Sequence, residues 1–204
     1  MEANTKEIQT NLADWFKGGL NLYKENFVIV FVCCLIAIIL SCISVFVLAG
    51  PLFVGIMMIL FRLIEKSSPA PTIPDIFQGL NQFKASFIFI IAWGLINWFG
   101  SYLLSSVPGI GGILSFAYSS ALGGLIVFGL PIIADKKLDF FAASQLSIDT
   151  VKPKLAQFVL FSFIGSIITI SGFLLLGIGI FFTLPIYSCA IAVAYKDVFG
   201  IQST

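Results

Sequence analysis

The chain contains no histidine. It therefore lacks the side chain most often used as a general base near neutral pH, which is also the commonest metal ligand. Charge is scarce too. Asp, Glu, Lys and Arg make up 10% of the 204 residues, where an ordinary soluble domain carries about 25%. The net charge is +1, so there is no basic field to attract nucleic acid. The cysteines Cys33, Cys34, Cys42 and Cys189 all fall in apolar stretches. None has metal-ligand or redox spacing, and they read as packing residues. No glycine-rich loop leads into a basic residue as phosphate cradles require. The expectation is a chain with no cofactor, no metal and no nucleic-acid partner.

What is present is apolar. Hydrophobic residues account for 59% of the chain, and the mean hydropathy is +1.07. A water-soluble fold of this size cannot hide that much apolar surface, so lipid must be the solvent for most of it. The length suits a single integral membrane domain over residues 1–204. The first 26 residues are mixed polar and charged, with no short apolar core before a small-residue cleavage site. They are expected to be an amphipathic helix and not a cleaved leader.

Six apolar runs follow. Phe27 to Leu48 and Leu52 to Ile64 are separated by Gly50-Pro51. Phe87 to Val107 and Ile113 to Ala134 are separated by Pro108-Gly109-Ile110-Gly111-Gly112. Phe158 to Leu176 and Ile180 to Tyr195 are separated by Gly177-Ile178-Gly179. A helix needs about 20 residues to cross a hydrocarbon core of about 30 Å. The second run is short, so its Gly-Pro turn lies within the bilayer or the bilayer thins there. The pattern predicts an all-α membrane protein: six transmembrane helices as three hairpins, 27–66, 87–134 and 158–197.

An internal repeat organises these runs. Asp14-Trp15-Phe16-Lys17-Gly18-Gly19-Leu20-Asn21 precedes the first, and Asp75-Ile76-Phe77-Gln78-Gly79-Leu80-Asn81 precedes the third. A degenerate copy around Ser147 to Gln157 precedes the fifth. At the hairpin ends, Pro51 leads to Phe61-Arg62 and Pro185 leads to Tyr195-Lys196 at equal spacing. The segments before the runs are amphipathic. Ile8, Leu12, Trp15, Phe16, Leu20 and Tyr23 share one helical face. Ile76, Phe77, Leu80 and Phe83 share another, behind a capping box from Thr72 to Asp75 with Pro74 in the first turn. Such helices lie in the membrane interface, or they cover the ends of the spans.

Charge is one-sided. Apart from Arg62, near the end of the second run, the Lys and Arg, and all ten acidic residues, fall before the first run, between the second and third, between the fourth and fifth, or after the sixth. The three hairpin turns carry none. Cytoplasmic loops hold the Lys and Arg excess, so both termini are expected in the cytoplasm.

Ionisable residues inside a membrane are the usual mark of ion or proton pathways, and the apolar runs have none in their interiors. Asn97 is the strongly polar side chain nearest mid-membrane, with Trp93 one turn away on the same face. The pair reads as an interhelical hydrogen bond or as a substrate contact. Gly123 and Gly124 read as helix packing or as the floor of a lipid groove. Asp135 and Asp139 would share a helix face if one helix ran through both; beside Lys136 and Lys137 they read as a solvated charged cap or, less favourably, an acid–base pair.

The closing residues Gly177-Ile178-Gly179, Pro185, Ala190, Ala192 and Ala194-Tyr195-Lys196-Asp197-Val198-Phe199-Gly200 resemble the end of an uncharacterised family of six-helix bacterial inner-membrane proteins. Trp15-Phe16 and Gly50-Pro51 with Gly55 fit as well. The wider pattern is similar to the membrane domain of some glycerophosphodiester phosphodiesterases and to YciC-like proteins. The resemblance implies a bacterial cytoplasmic membrane and an all-helical fold, and it carries over no catalytic residue. The expected role is a non-enzymatic accessory or scaffold subunit, with membrane lipids, other membrane subunits or further copies of itself as partners. The alternative is a transporter or lipid-handling protein using a groove near Asn97, Gly123 and Gly124.

Overall fold

The computed structural model describes residues 11–174 and 179–201, with the backbone alone at 173 and 174. Every regular element among them is helical. In chain order these are α1 (Leu12–Glu25), α2 (Phe27–Ile43), α3 (Ala49–Ile64), a 3₁₀ segment (Ile73–Gln82), α4 (Phe83–Ser105), α5 (Gly111–Ile126), α6 (Gly129–Lys136), α7 (Phe140–Val151), a 3₁₀ turn (Lys152–Lys154), α8 (Leu155–Leu174) and α9 (Ile180–Phe199).

Four helical stretches are long and apolar enough to cross a membrane: Ile73–Ser105, Gly111–Lys136, Phe140–Gly172 and Ile180–Phe199. The bent pair α1 and α2 makes a fifth if taken as one span. These helices are compatible with an integral membrane protein, but length alone does not reach the six expected crossings. α3 has 16 residues, about 24 Å of helix, and falls short of a hydrocarbon core of about 30 Å.

The bend between α1 and α2 is 97°. Asn26 sits in it, and its side-chain amide donates back to the Leu22 carbonyl at 3.1 Å, closing α1. The next reversal differs from expectation. Gly50-Pro51 is not the turn. The chain reverses through Ser44 to Leu48, with Val45 and Phe46 at positive φ and the Ser44 hydroxyl accepting from the Leu48 N–H. Gly50 and Pro51 lie in the first turn of α3, where a missing N–H leaves no helical bond unmade. A Cβ on Gly50 would run into the Ser86 carbonyl of α4, so the glycine sets the distance between the two helices. The expected third turn, Gly177-Ile178-Gly179, lies largely outside the described residues, as does Ile8.

α3 is the best-buried helix. Leu52, Val54, Ile56, Met57, Ile59 and Leu60 are all enclosed, as expected for a helix apolar on every side. The three sequence units pack around it in a common manner. Each pre-run segment lies on the closing helix of the unit before it, and the first lies on the last. The 3₁₀ segment packs on α3, α7 on α6 and α5, and α1 on α9. Ile76 and Trp15, at matching repeat positions, are 0% and 2% exposed. Trp15 stacks on Phe158 and meets Phe161 edge-on. Of the expected faces, Phe77, Leu80 and Phe83 stay exposed, whereas Trp15, Tyr23 and Ile76 are buried against protein. Glycine is the reason: a Cβ on Gly19 would sit 2.5 Å from the Ala190 nitrogen, and one on Gly79 would strike the Pro51 carbonyl. Phe61 and Tyr195, also matched in the repeat, stack on each other at 4.9 Å.

Candidate functional site

The first recess is a cleft of about 280 Å³ between α4 and α5, lined by Phe89, Trp93, Asn97, Ser119, Gly123 and Ile126 among others. Three of the residues expected from sequence meet here. Asn97 and Trp93 are one turn apart on α4, and Gly123 of α5 borders the same cleft, although a Cβ on it would meet the Ser162 hydroxyl of α8 at 2.5 Å. Gly124 does not join them. Successive helix residues point about 100° apart, and a Cβ on Gly124 would lie 2.9 Å from the Phe158 backbone of α8. It is a packing contact.

The Trp93 indole N–H donates to the Ser144 hydroxyl at 3.0 Å, tying α4 to α7. Ser119 and Ser101 bond each other at 3.1 Å, and the Ser115 hydroxyl donates to the Ser101 carbonyl at 2.9 Å. Asn97 breaks this pattern of satisfied groups: its Oδ1 is shielded from solvent and has no hydrogen-bond partner among the described residues. The expected interhelical bond through this oxygen is absent. Leaving a buried acceptor unpaired costs about 1–3 kcal/mol.

The second recess lies at the charged rim, in two adjoining lobes whose linings share Asn81, Gln82 and Lys137. One lobe, about 240 Å³, reaches Met58, Phe61 and Arg62 on α3. The other, about 420 Å³, reaches Lys84 and Ile88 on α4 and Phe141 on α7. These residues come from three separated stretches of the chain, and sequence spacing gave no sign that they meet.

Three acids around this rim, Asp75, Asp135 and Asp139, are engaged. Asp75 pairs with Arg62 at 3.1 Å and accepts the Thr72 N–H at 2.7 Å, completing the expected capping arrangement. The Thr72 N–H foremost, then its hydroxyl, Arg62 and Gln78, hold the Asp75 carboxyl below its ordinary range. Asp139 caps α7, accepting from the Ala142 N–H at 2.8 Å. Asp135 is buried and accepts the Tyr195 hydroxyl at 2.7 Å. The expected shared face of Asp135 and Asp139 is not formed. Lys137 adopts a left-handed conformation (φ 53°) that ends α6 between them. Nor is Asp135 a solvated cap: it is 7% exposed, and its partner Tyr195 is itself enclosed among the rings of Phe61, Phe128 and Phe199.

Among the described residues, no group of three or more Cys, Asp or Glu is arranged to hold a metal ion. A scan against family models and searches of curated proteins and solved structures match nothing to this chain.

Proposed function

We propose that this chain is a multi-pass protein of a bacterial cytoplasmic membrane acting as a non-enzymatic accessory or scaffold subunit of a membrane complex. Three hairpins give six crossings, with both termini in the cytoplasm. The one-sided charge supports that orientation, and the family resemblance supports the compartment. The carrying observation is α4. In its most apolar window only 6% of the residues are buried within the chain. Leu95, Trp98, Phe99 and Tyr102 are each more than half exposed. Lipid alone can cover an apolar span, so the subunit reading leans on the small, open Gly94 within this surface, which admits a neighbouring helix closely.

The test is a photo-crosslinking residue at Phe99, activated in native membranes. The expected product is a stoichiometric adduct with a second polypeptide, another subunit or another copy. Adducts with lipid alone would overturn the subunit reading. A second reading, lipid handling or transport, draws on the unpaired Oδ1 of Asn97 at the cleft. Replacing Asn97 by Leu leaves a scaffold working; loss of a measured lipid or solute flux would transfer the case to this reading.

A further inference from the structure

We propose that the α4–α7 lobe of the rim recess binds one anionic phospholipid, its phosphate held by Lys84 and Lys137 and its acyl chain laid along α4. The inference rests on the chain being membrane-embedded but not on its being a subunit of a complex.

Charge complementarity selects the headgroup. Lys84 and Lys137, from separate elements, line this lobe together with the amide side chains of Asn81 and Gln82. Neither lysine makes an ion pair among the described residues; the pair at this rim is Arg62 with Asp75. The one acid lining the lobe, Asp139, caps α7 through a neutral N–H and keeps its charge, so two lysines against one carboxylate leave the lining at a net +1. Two cations, two amides and one carboxylate thus line a space of about 420 Å³, with positive charge in excess. A phosphate diester supplies the balancing charge and acceptor oxygens.

The tail follows from the helix. Lys84, Ile88, Ile91 and Leu95 are spaced four, three and four apart, so they form one stripe on α4. All are exposed; Ile88 is at 38%, Ile91 at 44% and Leu95 at 60%. Phe141, 73% exposed on α7, flanks the upper end of the stripe. From Lys84 to Leu95 the stripe runs about 16 Å, close to half of a hydrocarbon core of about 30 Å. A site that is cationic at one end and apolar for the depth of one leaflet fits an anionic lipid. A free phosphate would use only its head.

The test is native mass spectrometry of the full chain released from nanodiscs holding equal phosphatidylglycerol and phosphatidylcholine. The expected result is one retained phosphatidylglycerol, preferred about tenfold. The double variant K84Q/K137Q is expected to lose the preference, while the charge-matched control K17Q/K152Q keeps it. Equal loss in both pairs would reduce the effect to diffuse surface charge and overturn the site. Absence of any preference in the unmodified protein would overturn it as well, as would complete displacement by millimolar glycerol phosphate. Should the double variant not fold, K84Q alone is expected to weaken the preference several-fold; an unchanged preference there would count against the site. The lipid count is indifferent to whether Phe99 crosslinks a protein partner, so the two readings fail separately.

Discussion

At the scale of single residues, the glycines decide more than the polar side chains. A Cβ on Gly55 would collide with the Ile76 carbonyl, which is backbone and cannot rotate away. Gly55→Ala is therefore expected to cost about 1–3 kcal/mol and to lower the thermal midpoint in detergent. Gly112→Ala, which would meet nothing within 4 Å, should leave the midpoint nearly unchanged. The Tyr195 hydroxyl is enclosed and bonded to Asp135 at 2.7 Å. Tyr195→Phe removes a hydrogen bond to an acidic group and is expected to cost about 1.5–3 kcal/mol, read by the same melting curve. Asn97→Leu goes the other way: deleting an unpaired acceptor should hold or raise the midpoint. Of these roles, the polarity of Asn97 and its alignment with Trp93 were legible from spacing alone. The bond from Tyr195 to Asp135 was not. It joins residues 60 apart, and no local pattern signals such a pairing.

At the scale of elements, the repeat was legible and its consequence was not. Matching Trp15 with Ile76 and Gly19 with Gly79 located two equivalent segments. The spacing of their apolar residues then placed one face of each in the membrane interface or over the span ends, because amphipathicity reports that a face needs cover without naming the cover. The glycine in each segment admits a helix backbone where a side chain would hold it off, so protein covers Trp15 and Ile76 while Phe77, Leu80 and Phe83 stay exposed. Helix ends were similarly half-legible. The Thr72–Asp75 cap was readable, whereas the α2–α3 reversal passes through Val45 and Phe46, residues that do not ordinarily mark turns. The cap has a pH signature. Because the Asp75 carboxyl is held below its unfolded value, its stabilising effect is full above an unfolded pKa of about 3.9 and is lost as pH falls through the lower folded value. Asp75→Asn should weaken docking of the 3₁₀ segment on α3, and its effect on hydrogen exchange at Ile76 should shrink as the pH drops below about 4.

At the scale of the whole molecule, one-sided charge makes a claim that apolar length alone does not. Helices long enough to span number four, or five with the bent pair, whereas the charge pattern demands that every return to Lys and Arg lie on one face. The two differ over α2 and α3, where α3 is short and lies deep within protein. Lipid-facing length is the wrong gauge for such a helix, because neighbouring helices supply its apolar surroundings. Cysteine accessibility decides the matter. Cys33, Cys34 and Cys189 are buried and Cys42 is exposed, so a Cys42→Ser background should be silent to a membrane-impermeant maleimide. In that background Ser67→Cys, beside Lys66, is expected to react only from the cytoplasmic side. Ser106→Cys, in the turn after α4, is expected to react only from the opposite side. Labelling of both from one side would overturn the proposed orientation. It would also remove the leaflet assignment on which Lys84 and Lys137 depend, since cations at the end of α4 meet anionic headgroups only if that end lies at an interface.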